Sequence, residues 1–140
     1  MVNAKLVGQY FLSKNAYLTD IQVQKLVYYA YSWYMVKNSG KKLFDEKPEA
    51  WVHGPVFRSL FYAMKDYKNF INFTEIDTIG KGVSDFLDII FDVYGKYSGN
   101  ELEKLTHSET PWIKARVGLA PYELSTRNID DEEILAYYGK

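Results

Sequence analysis

Apolar positions recur every three or four residues along most of this chain, and the exceptions locate its breaks. Leu6, Val7, Tyr10 and Phe11 share one stripe, so the spacing predicts a first helix over residues 2 to 12, ended by Asn15. Thr19 followed three residues later by Gln22 has the spacing of a capping box, in which each side chain satisfies the other residue's free backbone N–H. Gly40, after Lys37, marks the far end of this second helix. Between Leu26 and Val36 the helix is apolar on nearly every side. A helix without a polar face needs neighbours all around it, which places it at the centre of the fold. Tyr28, Tyr29, Tyr31, Trp33 and Tyr34 give it bulk, and their hydroxyls and indole N–H require partners or solvent.

The helical period fails in "KKLFDEKPEAWVHG", where Ala50, Trp51, Val52 and His53 alternate between Pro48 and Gly54. This predicts a short strand paired with Leu43 and Phe44, in at most a short β-hairpin near residues 43 to 53. Pro55 is expected in the first turn of a third helix, where its missing N–H is no loss, with Phe57, Leu60, Phe61 and Met64 as the apolar stripe. Residues 69 to 81 read as a loop with an extended piece at Phe70 to Phe73. Val83, Phe86, Leu87, Ile90, Tyr94 and Tyr97 predict the next helix, with Asp85, Asp88 and Asp92 on its solvent side. Ser98 is placed to cap a helix carrying Leu102 and Leu105, Pro111 to start a short one closed by Gly118, and Asp130 with Glu133 to cap the last. The expected fold is mainly α: a single compact helical domain over residues 1 to 140, with about six helices around a central aromatic one.

Composition narrows the function classes. The chain has 140 residues, 47% hydrophobic and 25% charged, the size and balance of one globular domain, and a homodimer is compatible with both. A formal charge of −1 supplies no global field toward nucleic acid, leaving only Arg58, Lys65, Lys68, Lys114 and Arg116 as a local patch for weak contact. The absence of cysteine removes disulfides, thiolate nucleophiles and thiolate metal sites. No signal peptide is read at the N-terminus, and the apolar run from Leu26 to Val36 is too short for a membrane span. A soluble, cytoplasmic protein is expected.

Two histidines remain as candidate chemistry. His53 sits in "AWVHGPVF" beside Trp51, Gly54 and Pro55, and His107 sits in "LTHSETPW" with Pro111 and Trp112 close behind. No paired-histidine metal spacing, no nucleophile elbow around Ser59 or Ser108 and no glycine-rich phosphate loop accompanies them. No catalytic residue, metal or cofactor is therefore assigned. Two readings stay open: the histidines tie both turns onto the helical core while Trp51 and Trp112 fill the space between, or the same residues line a cleft, as in a small hydrolase or ligand-binding domain.

Taken together, "LTDIQVQKLVYYAYSWYM", "LFDEKPEAWVHGPVFRSLFYAMKDY" and "LEKLTHSETPWIKAR" resemble the Panacea antitoxin domain family, which includes SocA-like and GepA-like phage-associated proteins. The likeness is carried by Gln24, Lys25, Leu26, Tyr28, Tyr29 and Trp33, then Glu49, Ala50, Trp51, Gly54 and Pro55, then Leu105, Thr106, His107, Pro111 and Trp112. It implies a mainly helical fold and a non-enzymatic role, the binding and neutralisation of a cognate protein toxin of a toxin–antitoxin or prophage locus. For the SocA type it also implies delivery of the toxin to the ClpXP protease. The resemblance makes the Trp51–His53 and His107–Trp112 corner a shared core, and puts partner choice on exposed surfaces elsewhere.

Overall fold

A computed structural model describes residues 1 to 140. Helix α1 (Ala4–Lys14) opens on Asn3, whose side chain accepts the Leu6 N–H at 2.8 Å, and closes at Asn15. Helix α2 (Asp20–Lys37) opens on the expected capping box, with Thr19 Oγ1 accepting from Gln22 N and Gln22 Oε1 accepting from Thr19 N at 2.7 Å. Every residue of α2 from Val23 to Ser32 is buried, as an all-apolar helix requires. Around it stand α1, a short hairpin, α3 (Arg58–Lys65), α5 (Lys81–Tyr94), α6 (Gly99–His107) and α8 (Asp131–Tyr138). Helices α4 (Tyr67–Phe70) and α7 (Thr110–Ala115) and a 3-10 turn (Ile76–Ile79) join them. One cluster of 29 buried hydrophobic residues runs through the whole arrangement. No helix is long and apolar enough to cross a membrane.

The fold is mainly helical as expected, with eight α-helices where the periodicity predicts about six. Phe70 lies in the four-residue α4, not in an extended piece. Its ring is buried and its carbonyl accepts Gln9 Nε2 at 3.0 Å. A single turn is too short to leave a period in the sequence. Ser98 and Glu101 form a second capping box at α6, and Asp130 caps α8 through the Glu132 N–H without help from Glu133.

The hairpin differs from its expected pairing. Strand β1 (Glu49–Trp51) runs antiparallel to β2 (Gly54–Val56), with Glu49 opposite Val56 and Trp51 opposite Gly54. On its other edge β1 meets residues 127 to 129, where Ala50 N donates to Arg127 O and Ile129 N to Pro48 O, each at 2.8 Å. Leu43 and Phe44 are not strand partners but core side chains, Phe44 standing 5.4 Å from the Tyr31 ring and 5.1 Å from Phe57.

Pro55 is likewise a strand residue, and α3 begins three positions later, at Arg58. The cause lies in α2. Gln24 Oε1 accepts the Phe57 N–H at 2.9 Å while Gln24 Nε2 donates to the Phe57 carbonyl at 3.1 Å, all of it buried. This double clamp holds Phe57 extended, with φ −91° and ψ 118°, so the helix cannot propagate back to Pro55.

Replacing Gln24 by Ala leaves the buried Phe57 N–H without a partner and its carbonyl with the Phe61 N–H alone. The expected loss is about 1 to 3 kcal/mol in urea unfolding, with the denaturant slope unchanged. A loss below about 1 kcal/mol would mean the clamp does not set the start of α3.

Candidate functional site

Next to Gln24 on α2, Lys25 is fully buried and donates from Nζ to the Pro55 carbonyl at 3.2 Å. Gly54 makes room for it. With φ at +113° the position suits glycine, and a Cβ there would stand 2.6 Å from Lys25 Cε and 2.9 Å from Thr106 Oγ1. Thr106, on α6, donates its hydroxyl to Glu103 O at 3.0 Å. Burial drives the Lys25 ammonium down from 10.5 to about 8, against an opposing pull from the Glu103 carboxylate.

Helix α7 ties the hairpin from the other side. Pro111 is buried in its first turn, and Trp112 Nε1 donates to the Trp51 carbonyl at 2.9 Å. The Trp112 ring stacks on the His107 imidazole, centroids 3.9 Å apart and 13° from parallel. Arg116, expected in a surface basic patch, is instead buried and spends its guanidinium on the carbonyls of Ala50 at 2.8 Å and Glu123 at 2.6 Å. Arg58 is engaged by Glu49 at 3.0 Å, and Lys114 by Glu133 at 2.8 Å, so the patch is dispersed. Trp51 packs its ring edge-on to Phe61 and donates from Nε1 to Glu49 Oε1 at 2.8 Å.

The two histidines part company. His107 sits against the Val52 backbone with its Nε2 buried and unpartnered, and burial lowers its pKa. His53 does not lock its turn to the core: its side chain is 68% exposed, with Nδ1 3.0 Å from Glu103 Oε2. A cleft of about 600 Å³ beside the hairpin includes Trp51, His53, Arg58, Tyr62, Tyr122 and Leu124 in its lining, but not His107. The Ser59 hydroxyl, the nearest in sequence to His53, bonds to Glu46. Of the residues singled out in the sequence, Gln24, Lys25, Glu49, Trp51, His53, Gly54, Pro55, Thr106, His107, Pro111 and Trp112 gather at this corner.

Trp33 does not. It lies further along α2 in an aromatic assembly that the sequence motifs leave unassigned. Trp33 Nε1 donates to Tyr94 OH at 2.8 Å, and Tyr94 stacks on Tyr29 at 4.0 Å and 5°. The hydroxyls of Tyr29 and Tyr138 both donate to Glu109 Oε1 at 2.7 Å, with Tyr28 OH 3.2 Å from Tyr138 OH. Burial raises the pKa of Glu109, an effect these hydrogen bonds oppose, and burial also raises those of the three tyrosines. The signal available in the sequence is the need of hydroxyls on an all-apolar helix for an acceptor, with Glu109 lying between His107 and Pro111.

Two measurements check this corner. Because the folded-state pKa of Lys25 lies below its unfolded value, the unfolded chain holds more protons between about pH 8 and 10.5. The wild type should therefore gain about 1 to 2 kcal/mol of stability over Lys25→Met between pH 8 and 9.5, tyrosine ionisation being common to both chains and cancelling in the difference. A flat difference would mean that Lys25 is not desolvated. Separately, Trp112→Phe should cost about 1 to 2 kcal/mol by removing the indole hydrogen bond to the Trp51 carbonyl and part of the ring contact with His107, whereas exposed His53→Gln should stay within about 0.5 kcal/mol of wild type in thermal unfolding.

Residues 23–113, from the first turn of α2 to α7, match the family described as antitoxin SocA-like, Panacea domain. No curated protein and no solved structure matches the chain. The match takes in the hairpin corner and the Glu109 assembly alike and covers well over half of the sequence, and the chain therefore belongs to the SocA-like antitoxin family, as a Panacea domain.

Proposed function

We propose that this chain is an antitoxin that neutralises a protein toxin by binding it directly, in the cytoplasm and without catalysis. The carrying observation is the family match over residues 23–113. The geometry supports it in a second way. At the hairpin corner the polar groups of Gln24, Lys25, Trp112 and Arg116 all engage main-chain atoms of this chain, which is what a rigid framework needs and what a reactive centre lacks. Apolar side chains stand on the surface instead, with Tyr62, Tyr122 and Leu124 beside the hairpin and Ile89 and Val93 on α5. Exposed groups of this kind are what a protein partner covers. An adaptor role that hands the bound toxin to the ClpXP protease is the further form of this reading. A hydrolase working through both histidines fits less well, because only His53 lines the cleft.

Expressed with its genomic neighbours, the tagged chain should co-purify with one small protein at near-equal amounts. That protein should arrest growth alone and be silenced by this chain. The double variant His53→Gln with His107→Gln, if it folds, should still silence it. Rescue without complex formation, or rescue lost in a folded double variant, would point to an enzyme.

A further inference from the structure

Glu109 is a buried carboxylate without a counter-charge. It is 8% exposed, both hydrogen bonds it accepts fall on Oε1, and no Lys, Arg or His pairs with it. It lines a groove of about 360 Å³ together with Trp33, Tyr94, Tyr137, Tyr138 and Lys140. Aromatic faces around a carboxylate make a surface for a cation, because ring quadrupoles and formal charge attract the same sign. An apolar guest would leave Oε2 unpaired, and an anion would be repelled. The chain supplies its own illustration: the Lys140 ammonium lies 5.6 Å from the centroid of the Tyr137 ring.

Trp33 and Tyr94 are also walls of an adjoining apolar depression of about 480 Å³ on α5, with Phe86, Ile89, Ile90 and Val93. Ile89 is 60% and Val93 48% exposed, although the helix buries Leu87 and Ile90 on its inner side. A lysine lines each depression, Lys37 here and Lys140 at the other, so the Glu109 carboxylate is what directs a cation to its own end and leaves the α5 shelf to apolar groups.

We infer that this groove receives a lysine or arginine side chain of the partner protein, its cation between the rings and against Glu109, with neighbouring apolar side chains laid on Ile89 and Val93. The identity of the partner rests on the antitoxin reading; the cation chemistry does not.

The first probe is N-acetyl-arginine amide, titrated while the Trp33 indole N–H is followed by NMR, with N-acetyl-norleucine amide as the neutral control. The wild type should show a saturable shift with the arginine compound only. Glu109→Gln should weaken it roughly tenfold, while its carboxamide oxygen still accepts the tyrosine hydroxyls and an unchanged amide spectrum confirms the fold. No shift in the wild type, an equal shift with norleucine, or equal binding by Glu109→Gln would overturn the inference. The co-purified partner should also bind Glu109→Gln and Ile89→Ser at least about tenfold more weakly, and unchanged affinity in both would remove the groove from the interface. Failure of the antitoxin reading would show separately, as a wild-type chain with no stoichiometric partner, and the arginine titration would then still decide the cation site.

Discussion

Helix α2 has no face it can give to water, and this constraint governs the rest of the molecule. Because Val23 to Ser32 are all buried, each polar atom on that stretch must find a partner within the protein or lose the free energy of its hydration. The neighbours are arranged accordingly, the Ser32 hydroxyl alone among these side chains being buried without a partner. Gln24 is satisfied by the main chain of Phe57, Lys25 by Pro55, Tyr29 by Glu109, and Tyr31 by Asp131 at 2.7 Å. Those four side chains fix, in turn, the start of α3, the hairpin, the approach to α7 and the first turn of α8. Hydrophobic burial supplies the driving force, but it is non-directional. The hydrogen bonds of α2 select one arrangement of helices around it.

This division explains what could be read from the sequence. Helix ends were legible because a cap is a local event: Thr19 with Gln22, Ser98 with Glu101 and Asn15 act within a few residues of themselves. The centrality of α2 was legible because a helix that is apolar all round is stable only with neighbours on every side. The start of α3 was not, because Pro55 and the stripe beginning at Phe57 carry local helix signals that Gln24, 33 positions before Phe57 in the chain, overrides. The partner of β1 was hidden for the same reason, since residues 127 to 129 carry no strand pattern and pair only because β1 is presented to them. At the candidate site the sequence singled out the corner by its unusual residue types, and the structure brings all of them together except Trp33. Arg116 and Glu109 escaped because charged residues default to solvent.

Besides Arg116, two buried ionisable groups of opposite sign lie along α2, Lys25 on the helix itself and Glu109 opposite it at the start of α7. Lys25 makes one hydrogen bond, to a neutral carbonyl, and Glu109 accepts two, from neutral hydroxyls, so neither has the full charge compensation that burial calls for. Each carries a pKa shift in the direction that favours its neutral form. Such groups are poor contributors to stability when an apolar residue of similar size could take their place. They differ in what surrounds them. Lys25 is sealed behind Gly54 and Thr106, where a ligand has no access, and its one contact holds the hairpin against α2.

Glu109 instead lines an open groove, and that difference carries the functional argument. A sealed buried charge can be balanced only by its own chain, and its effect is confined to which fold forms. One beside a groove can be balanced by a guest, and the part of its desolvation cost borne in the free protein need not be met again when the guest arrives. The guest's gain is then close to the full interaction of a cation with a carboxylate already stripped of most of its water and held at Oε1 by two tyrosines. The hairpin corner, with its polar groups engaged internally, supplies the rigidity that keeps α2 and α7 at fixed separation around this groove. The framework and the groove share helix α2 but draw on different side chains of it, Gln24 and Lys25 for the one and Trp33 for the other.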